Sequence, residues 1–155
     1  DLAIAVPTDE AAERVAAHLI GRGYRVLAQI EQVEVRRLAT LRLATPGGGA
    51  DAVVVDLLFA CSGIESEAVA AAEPVELVAG LTLPVARLAH LIAMKVLSRD
   101  DDARPDDRRD LRELLVAASE SEITLSRSLI GTIQSRGYAR GRDLAAGLDE
   151  LLRKR

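Results

Sequence analysis

One short apolar run with an acidic residue in its middle places the strongest constraint on this chain. Residues 53–59 read Val-Val-Val-Asp-Leu-Leu-Phe. A continuous apolar run of this length predicts a strand that is buried on both faces of a sheet. On such a strand Asp56 shares a face with Val54 and Leu58. Because a buried carboxylate needs compensation, two explanations stay open: an ion pair with an arginine, or a metal ligand at the floor of an active site.

Composition narrows the classes of protein that remain. The 155 residues suffice for a sizeable core, which must be aliphatic because aromatic residues make up 2% of the chain. So few rings argue against a stacking platform for single-stranded nucleic acid. The single cysteine, Cys61, excludes an internal disulfide and is typical of a reducing compartment. Since no apolar run approaches about 20 residues and no signal peptide is visible, we expect a cytoplasmic protein without a membrane partner.

Charge is spread unevenly along the chain. The formal net charge is −4, but the segment from Arg127 to the end carries +4 and the preceding part carries −8. A basic tail of this kind either binds nucleic acid or, more commonly, forms a solvated helix face.

Hydrophobic periodicity, caps and breakers predict the order of elements. They indicate strands at 2–6, 24–30, 35–43 and 53–59, an edge strand at 75–83 that turns at Gly80, and helices at 9–22, 64–72, 84–99, 105–118, 122–135 and 142–153. Thr8 suits a helix N-cap and Pro84 the first position of a helix. No helix follows the glycine-rich segment 45–49, so it predicts a hairpin tip and not a phosphate loop. The short connections between the middle strands favour an α+β fold with a mixed sheet.

Three charged residues form a candidate constellation. Asp1 begins the first predicted strand, Asp56 lies in the central one, and Lys95 lies on the helix predicted at 84–99. Two neighbouring strands can present Asp1 and Asp56 at one edge, where carboxylate oxygens suit Mg²⁺. A metal pair of this kind activates the attacking oxygen and steadies the leaving pyrophosphate in nucleotidyl transfer. A nearby lysine neutralises triphosphate charge.

Residues 1–6, 53–59 and 90–95, followed by 104–111, resemble the nucleotidyltransferases of the abortive-infection AbiEii toxin type. The resemblance covers residues 1–118 and depends mainly on the order and spacing of these short motifs. It implies the polymerase-β-like nucleotidyltransferase fold, with a core at 1–83 and a helical C-terminal part at 84–155. It also implies Mg²⁺-dependent transfer of a nucleotide from an NTP to an acceptor such as tRNA, by the toxin of a toxin–antitoxin pair.

The resemblance also implies roles for the acidic residues of the strands. Asp1 matches the second carboxylate of the family's Asp-x-Asp pair, and Asp56 matches the third carboxylate, so both are expected to be catalytic and to bind metal. The first carboxylate of the pair would precede Asp1, and we therefore expect a missing upstream segment. If Asp1 is aligned with the first carboxylate instead, the second position is Ala3 and the protein would be inactive.

The helical residues receive their roles from the same resemblance. Lys95 matches the helix lysine that contacts the nucleotide, and Arg99 is assigned to nucleotide binding with it. Asp107 and Asp110 match acidic residues of the following helix and are expected to orient either Lys95 or Arg104.

Three hypotheses follow. The first is a metal-dependent nucleotidyltransferase, and the second is a catalytically inactive relative that binds a nucleotide, a protein or RNA. The third is an unrelated domain in which Asp56 is simply paired, which requires Asp56 to lie against an arginine and far from Asp1.

Overall fold

A computed structural model describes residues 1–6, 8–99 and 105–153. Its elements are β1 (Leu2–Ala3), α1 (Asp9–Gly21), β2 (Arg25–Gln32), β3 (Arg37–Ala44), a 3-10 helix (Gly49–Asp51), β4 (Val54–Leu58), α2 (Glu65–Ala70), β5 (Glu73–Val78), β6 (Leu81–Val85), α3 (Leu88–Ser98), α4 (Pro105–Ala117), α5 (Glu120–Ser135) and α6 (Leu144–Leu152). The predicted α+β class is confirmed. The chain divides into two compact units, Asp1–Val69 and Ala70–Arg155, which are described in turn.

The first unit contains a four-stranded mixed sheet. The strand order is β1-β4-β3-β2, with β1 parallel to β4 and the other neighbours antiparallel. Strand β1 is shorter than predicted, although the Ile4 N–H still donates to the Leu58 carbonyl at 2.8 Å. The sheet is mixed, as the short connections between its middle strands predicted.

Helix α1 covers one face of this sheet. The Thr8 side chain caps the helix by accepting a hydrogen bond from the Ala11 N–H. Ala12 of α1 packs with Leu41, Leu43 and Leu57 in the buried core. Each fully buried leucine contributes about 2 kcal/mol to stability through the area that it removes from water.

The prediction that the central strand is buried on both faces is wrong. Leu57 is buried, but Val54 remains 53% exposed. Strand register explains the difference, because Val54, Asp56 and Leu58 lie opposite Ala44, Arg42 and Thr40 of β3, on the face away from α1.

The prediction of one edge strand at 75–83 and of a helix beginning at Pro84 is also wrong. Strands β5 and β6 pair with each other in a separate two-stranded sheet, in which Pro84 lies opposite Pro74. Gly80 forms the expected turn with φ of 81°. Proline lacks the backbone N–H and is tolerated in edge strands as well as at a helix start. Helix α3 therefore begins at Leu88, after Arg87 in the cap position.

Helix α3 is the centre of the second unit and contacts α4, α5 and α6. Its buried side chains include Ala89, Ile92 and Val96, whose spacing of three and four residues forms an apolar stripe. The buried Ser126 hydroxyl of α5 donates a hydrogen bond to the Ala89 carbonyl at 3.2 Å, which ties the two helices together. Within the described residues, no helix has the length and apolarity to cross a membrane.

Candidate functional site

Strand register places Asp56 on one face of the sheet, and Asp1 comes directly before the neighbouring strand. Leu2 lies opposite Leu57 and Ala3 opposite Leu58 in the parallel pair β1–β4. Asp1 precedes β1, whereas Asp56 lies within β4, one residue before Leu57. Asp56 is on the face away from α1, and continuing the β1–β4 register by one residue would bring Asp1 to the same level.

Arg42, on the strand that pairs with β4 on the side opposite to β1, binds the Asp56 carboxylate. It lies directly opposite Asp56 in the antiparallel pair β3–β4. Its Nε donates to Oδ1 at 2.7 Å and its Nη2 donates to Oδ2 at 2.6 Å. The contact is a bidentate ion pair, the geometry in which a guanidinium binds a carboxylate most strongly. The Asp56 side chain is 17% exposed and that of Arg42 is 51% exposed.

This ion pair controls the charge of the candidate site. The hydrogen bonds from Arg42 hold the pKa of Asp56 below its ordinary value, against the opposing effect of burial. The positive charge of Arg42 lowers the pKa of Asp56 further. Asp56 is consequently ionised at neutral pH, which a metal ligand requires, but each of its oxygens already accepts a hydrogen bond.

The hypothesis of an unrelated domain requires two things of Asp56: that it lies against an arginine and that it lies far from Asp1. An arginine does face the carboxylate. The other requirement, that Asp56 lies far from Asp1, is disfavoured by the β1–β4 register, which pairs the following residues Leu2 and Leu57.

A second charged cluster lies between α3 and α4. Lys95 Nζ lies 2.7 Å from Asp107 Oδ1 and 3.1 Å from Asp110 Oδ2. The hydrogen bond to Asp107 raises the pKa of Lys95, and the bond to Asp110 acts in the same direction. Lys95 therefore stays protonated, which does not favour nucleophilic chemistry, and its ammonium group is already paired with two carboxylates. The sequence left Lys95 and Arg104 open as partners of Asp107 and Asp110. In the structure both carboxylates contact Lys95, and Arg104 lies outside the described residues.

Asp107 has unused hydrogen-bonding capacity. Its Oδ2 atom is buried and has no hydrogen-bond partner within the part of the chain that the structure describes. Buried acceptors are normally satisfied, and the other oxygen of this carboxylate accepts from Lys95.

Arg99 ends α3. Its backbone N–H donates to the Lys95 carbonyl, and its own carbonyl accepts a hydrogen bond from Arg142 Nη1 at 2.7 Å. Arg142 also donates to the Leu97 carbonyl. The backbone of Arg99 thus helps to fix the helix that carries Lys95, and nucleotide binding by its side chain stays a prediction.

Asp1 and Asp56 carry the carboxylate oxygens that Mg²⁺ prefers as ligands. Arg42, however, already donates to both oxygens of Asp56. Among residues 1–6, 8–99 and 105–153, no group of three or more His, Cys, Asp or Glu side chains could hold a metal ion. Binding of Mg²⁺ by Asp1 and Asp56 therefore stays a prediction.

A groove of about 360 Å³ in the first unit lies away from Asp56. It is lined by α1 residues such as Glu13 and Ile20 and by Gln29 and Leu41 of the sheet. Gln29 lies opposite Leu41, whose side chain belongs to the core beneath α1. The groove and Asp56 are therefore on opposite faces of the sheet.

Sequence reasoning missed Arg42. The alternation Leu41-Arg42-Leu43 indicated that Arg42 projects away from the core, but its partner depends on the pairing of β3 with β4. In the tail, Arg127 forms an ion pair with Asp149, and Arg142 binds the carbonyls at the end of α3. These two basic residues thus have structural partners.

No protein-family model matches this chain, and no curated protein matches it.

Proposed function

We propose that this chain is the catalytic part of a Mg²⁺-dependent nucleotidyltransferase that transfers a nucleotide from an NTP to an acceptor. The observation that carries the proposal is the β1–β4 register, which, continued by one residue before Leu2 and Leu57, would bring Asp1 to the level of Asp56. Two carboxylates at this level would be costly unless a cation bound them, and Arg42 provides one positive charge.

In this proposal Asp1 and Asp56 hold the divalent cation, which supplies charge stabilisation to the reacting phosphate and leaving pyrophosphate when bound. Lys95 binds nucleotide phosphate through its ammonium group. Asp107 and Asp110 position that group, since both carboxylates lie within 3.1 Å of Lys95 Nζ. Arg99 and Arg104 join the nucleotide contacts. The proposed acceptor is an RNA such as tRNA, and the proposed protein partner is an antitoxin.

The direct test is transfer of label from each of the four NTPs to a tRNA pool in Mg²⁺. The assay uses the full-length protein. We expect label transfer that Asp56→Asn lowers by about 100-fold or more, because even outer-shell partners of a metal cost about 10- to 100-fold when lost. Asp51→Asn removes an exposed carboxylate of the same unit and should retain activity. Absence of transfer, or full activity in Asp56→Asn, would refute the proposal.

The second candidate is a catalytically inactive relative that binds a nucleotide. The specific observation in its favour is that Arg42 already donates to both oxygens of Asp56. Calorimetry separates the candidates, since a protein that only binds should take up an NTP equally well in Asp56→Asn and release no pyrophosphate.

A further inference from the structure

We propose that the groove between α1 and β2 is a docking site for an amphipathic helix of a partner protein, which carries basic side chains in its last turn. The groove has a volume of about 360 Å³ and lies on the face of the sheet opposite to Asp56. This surface is separate from the residues proposed for catalysis, and docking here does not depend on nucleotidyl transfer.

The sheet is wider than the helix that covers it. Neighbouring strands lie about 4.8 Å apart and a helix with its side chains is about 10 Å across, so one helix covers about two of the four strands. The core beneath α1 includes Leu41 and Leu43 of β3 and Leu57 of β4. Strand β2 forms the edge of the sheet, and its Val26 side chain, which lines the groove, is 42% exposed. The groove is therefore an uncovered strip of sheet beside α1, with room for a second helix.

One end of the groove is apolar. Ala16, Ala17 and Ile20 line it from α1, and Val26 lines it from β2. Ile20 is 49% exposed, so apolar surface on both walls is in contact with water. Apolar side chains of a partner would remove this area from water, which is the main driving force of association.

The other end of the groove is charged. The Asp9 carboxylate at the start of α1 accepts hydrogen bonds from Arg37 Nε at 3.1 Å and from the Leu38 N–H at 3.4 Å. Leu38 lies opposite Glu31 in the β2–β3 pair, so the start of α1 and the end of β2 meet here. Five charged side chains line this end: Asp9, Glu13, Glu31, Arg36 and Arg37.

Three of these charged side chains have no hydrogen-bond or ion-pair partner within the described residues: Glu13, Glu31 and Arg36. Glu13 lies on the α1 wall and Glu31 on the β2 wall, so a cation between the walls would meet both carboxylates. Arg36 lies in the turn between β2 and β3, at the end of the groove. The free charges thus form an acidic pair of walls closed by one guanidinium.

This charge pattern is complementary to the C-terminal end of a helix. Lysine and arginine are favoured in the last turn, where unpaired carbonyl groups carry partial negative charge. Basic side chains of that turn would meet Glu13 and Glu31, and the last carbonyls would meet Arg36. The apolar stripe of the same helix would then run towards Ile20 and Val26.

The helices of the chain itself do not supply such an end. Within the described residues, the last turns of α2, α4, α5 and α6 carry no basic residue. Lys95 in the last turn of α3 is already paired with Asp107 and Asp110, and α1 forms one wall of the groove. A second copy of this chain is therefore a poor occupant, and a helix from a different protein is the better one.

The probe for this site is a synthetic peptide of about 16 residues with an amidated C-terminus. It carries leucines at i, i+4 and i+7, alanine and glutamine elsewhere, and two lysines in its last turn. As a helix it spans about 24 Å, which is enough to follow the groove along α1 from Asp9 to Ile20. A second peptide of identical composition has its lysines in the first turn and should bind about tenfold more weakly, because the helix dipole then opposes the contact.

Fluorescence anisotropy measures the affinity of the labelled peptide for the whole chain and its variants. Glu13→Gln and Glu31→Gln should each weaken binding about fivefold, the upper range for an exposed ion pair. Ile20→Ser should weaken binding about tenfold through lost apolar contact. Glu34→Gln and Leu27→Ser are the matched controls, because both side chains are exposed and neither lines the groove. The controls should change the affinity less than about twofold.

The proposal is overturned if the peptide does not bind at about 1 mM, or if binding is unaffected by Glu13→Gln, Glu31→Gln and Ile20→Ser. Octylamine that binds as tightly as the peptide would make a small cationic amphiphile the occupant and refute the helix. A dimer in analytical ultracentrifugation that Ile20→Ser abolishes would make a second copy the occupant, with the same consequence. Since the three substituted side chains are exposed, the variants should keep the fold, which circular dichroism checks.

Discussion

The environment of Asp56 accounts for an acidic residue in the most apolar strand of this chain. The strand alternates between a face buried under α1 and a face that carries Arg42, Asp56 and the register position of Asp1. Asp56 is neutralised across the sheet by Arg42, so the carboxylate is tolerated without any ligand.

The Asp56–Arg42 pair predicts an acid-sensitive part of the stability. Because hydrogen bonds from Arg42 lower the pKa of Asp56, its stabilisation is complete above about pH 4, the ordinary carboxyl value, and is lost as pH falls through the lowered pKa. Asp56→Asn should reduce the free energy of unfolding by about 1 kcal/mol at pH 7. Urea unfolding should show this difference shrinking towards zero near pH 2. A difference that is the same at both pH values would contradict the account.

Lys95 predicts a stability effect in the second unit. Lys95→Met leaves the largely buried Asp107 without its ammonium partner and should cost about 2 kcal/mol in urea unfolding at pH 7. Since its partners raise the pKa of Lys95, the stabilisation is present below about pH 10 and is lost as pH rises through the raised pKa. Arg112→Met, at an exposed position of α4, should change the stability by less than about 0.5 kcal/mol. Equal effects of the two substitutions would argue against a stabilising cluster.

Among the elements, the cap signal was used correctly for one helix and missed for another. Helix α1 begins after Thr8, as predicted. Helix α5 begins after Ser119 and not at the predicted residue 122, because Ser119 forms a reciprocal capping box with Glu122. Both signals are local, so they are visible in the sequence. The proline at position 84 was ambiguous because helix starts and edge strands both tolerate it, and the pairing of β6 with β5 decided between them.

The capping box supplies a test at this scale. Ser119→Ala removes the side chain that accepts from the Glu122 N–H and should destabilise the protein by about 1 kcal/mol in thermal or urea unfolding. Ser128→Ala is the matched control, because Ser128 is exposed within α5, where alanine favours the helix. The control should be neutral or slightly stabilising. Equal destabilisation by both substitutions would show that the cap has no specific role.

For the molecule as a whole, the α+β class and the mixed sheet were predictable, whereas the complete charge pattern of the site was not. The face of the sheet on which Asp56 lies followed from strand alternation, which is a property of a single strand. The pairing of Asp56 with Arg42 depends on the register between β3 and β4, and the level of Asp1 depends on the register between β1 and β4. These strands are distant in sequence. Lys95 presented the same difficulty, since its partners Asp107 and Asp110 lie on another helix.

The basic tail provides a prediction about the proposed RNA acceptor. If the exposed basic residues of this segment contact phosphates, RNA affinity should fall steeply between 50 and 200 mM salt, because counterions are released on binding. Filter binding with a tRNA pool at several salt concentrations measures the slope. An affinity independent of salt would remove the tail from the RNA contact.

The central claim is that Asp1 and Asp56 together bind a divalent cation. Paramagnetic Mn²⁺ broadens NMR signals close to its binding site, so titration of the isotope-labelled protein locates the ion directly. We predict that the amide signals of Leu2 and Leu57, which lie opposite each other in the β1–β4 pair, broaden together at low Mn²⁺ and stay sharp in Asp56→Asn. Broadening elsewhere, or broadening at these positions that persists in Asp56→Asn, would contradict the account.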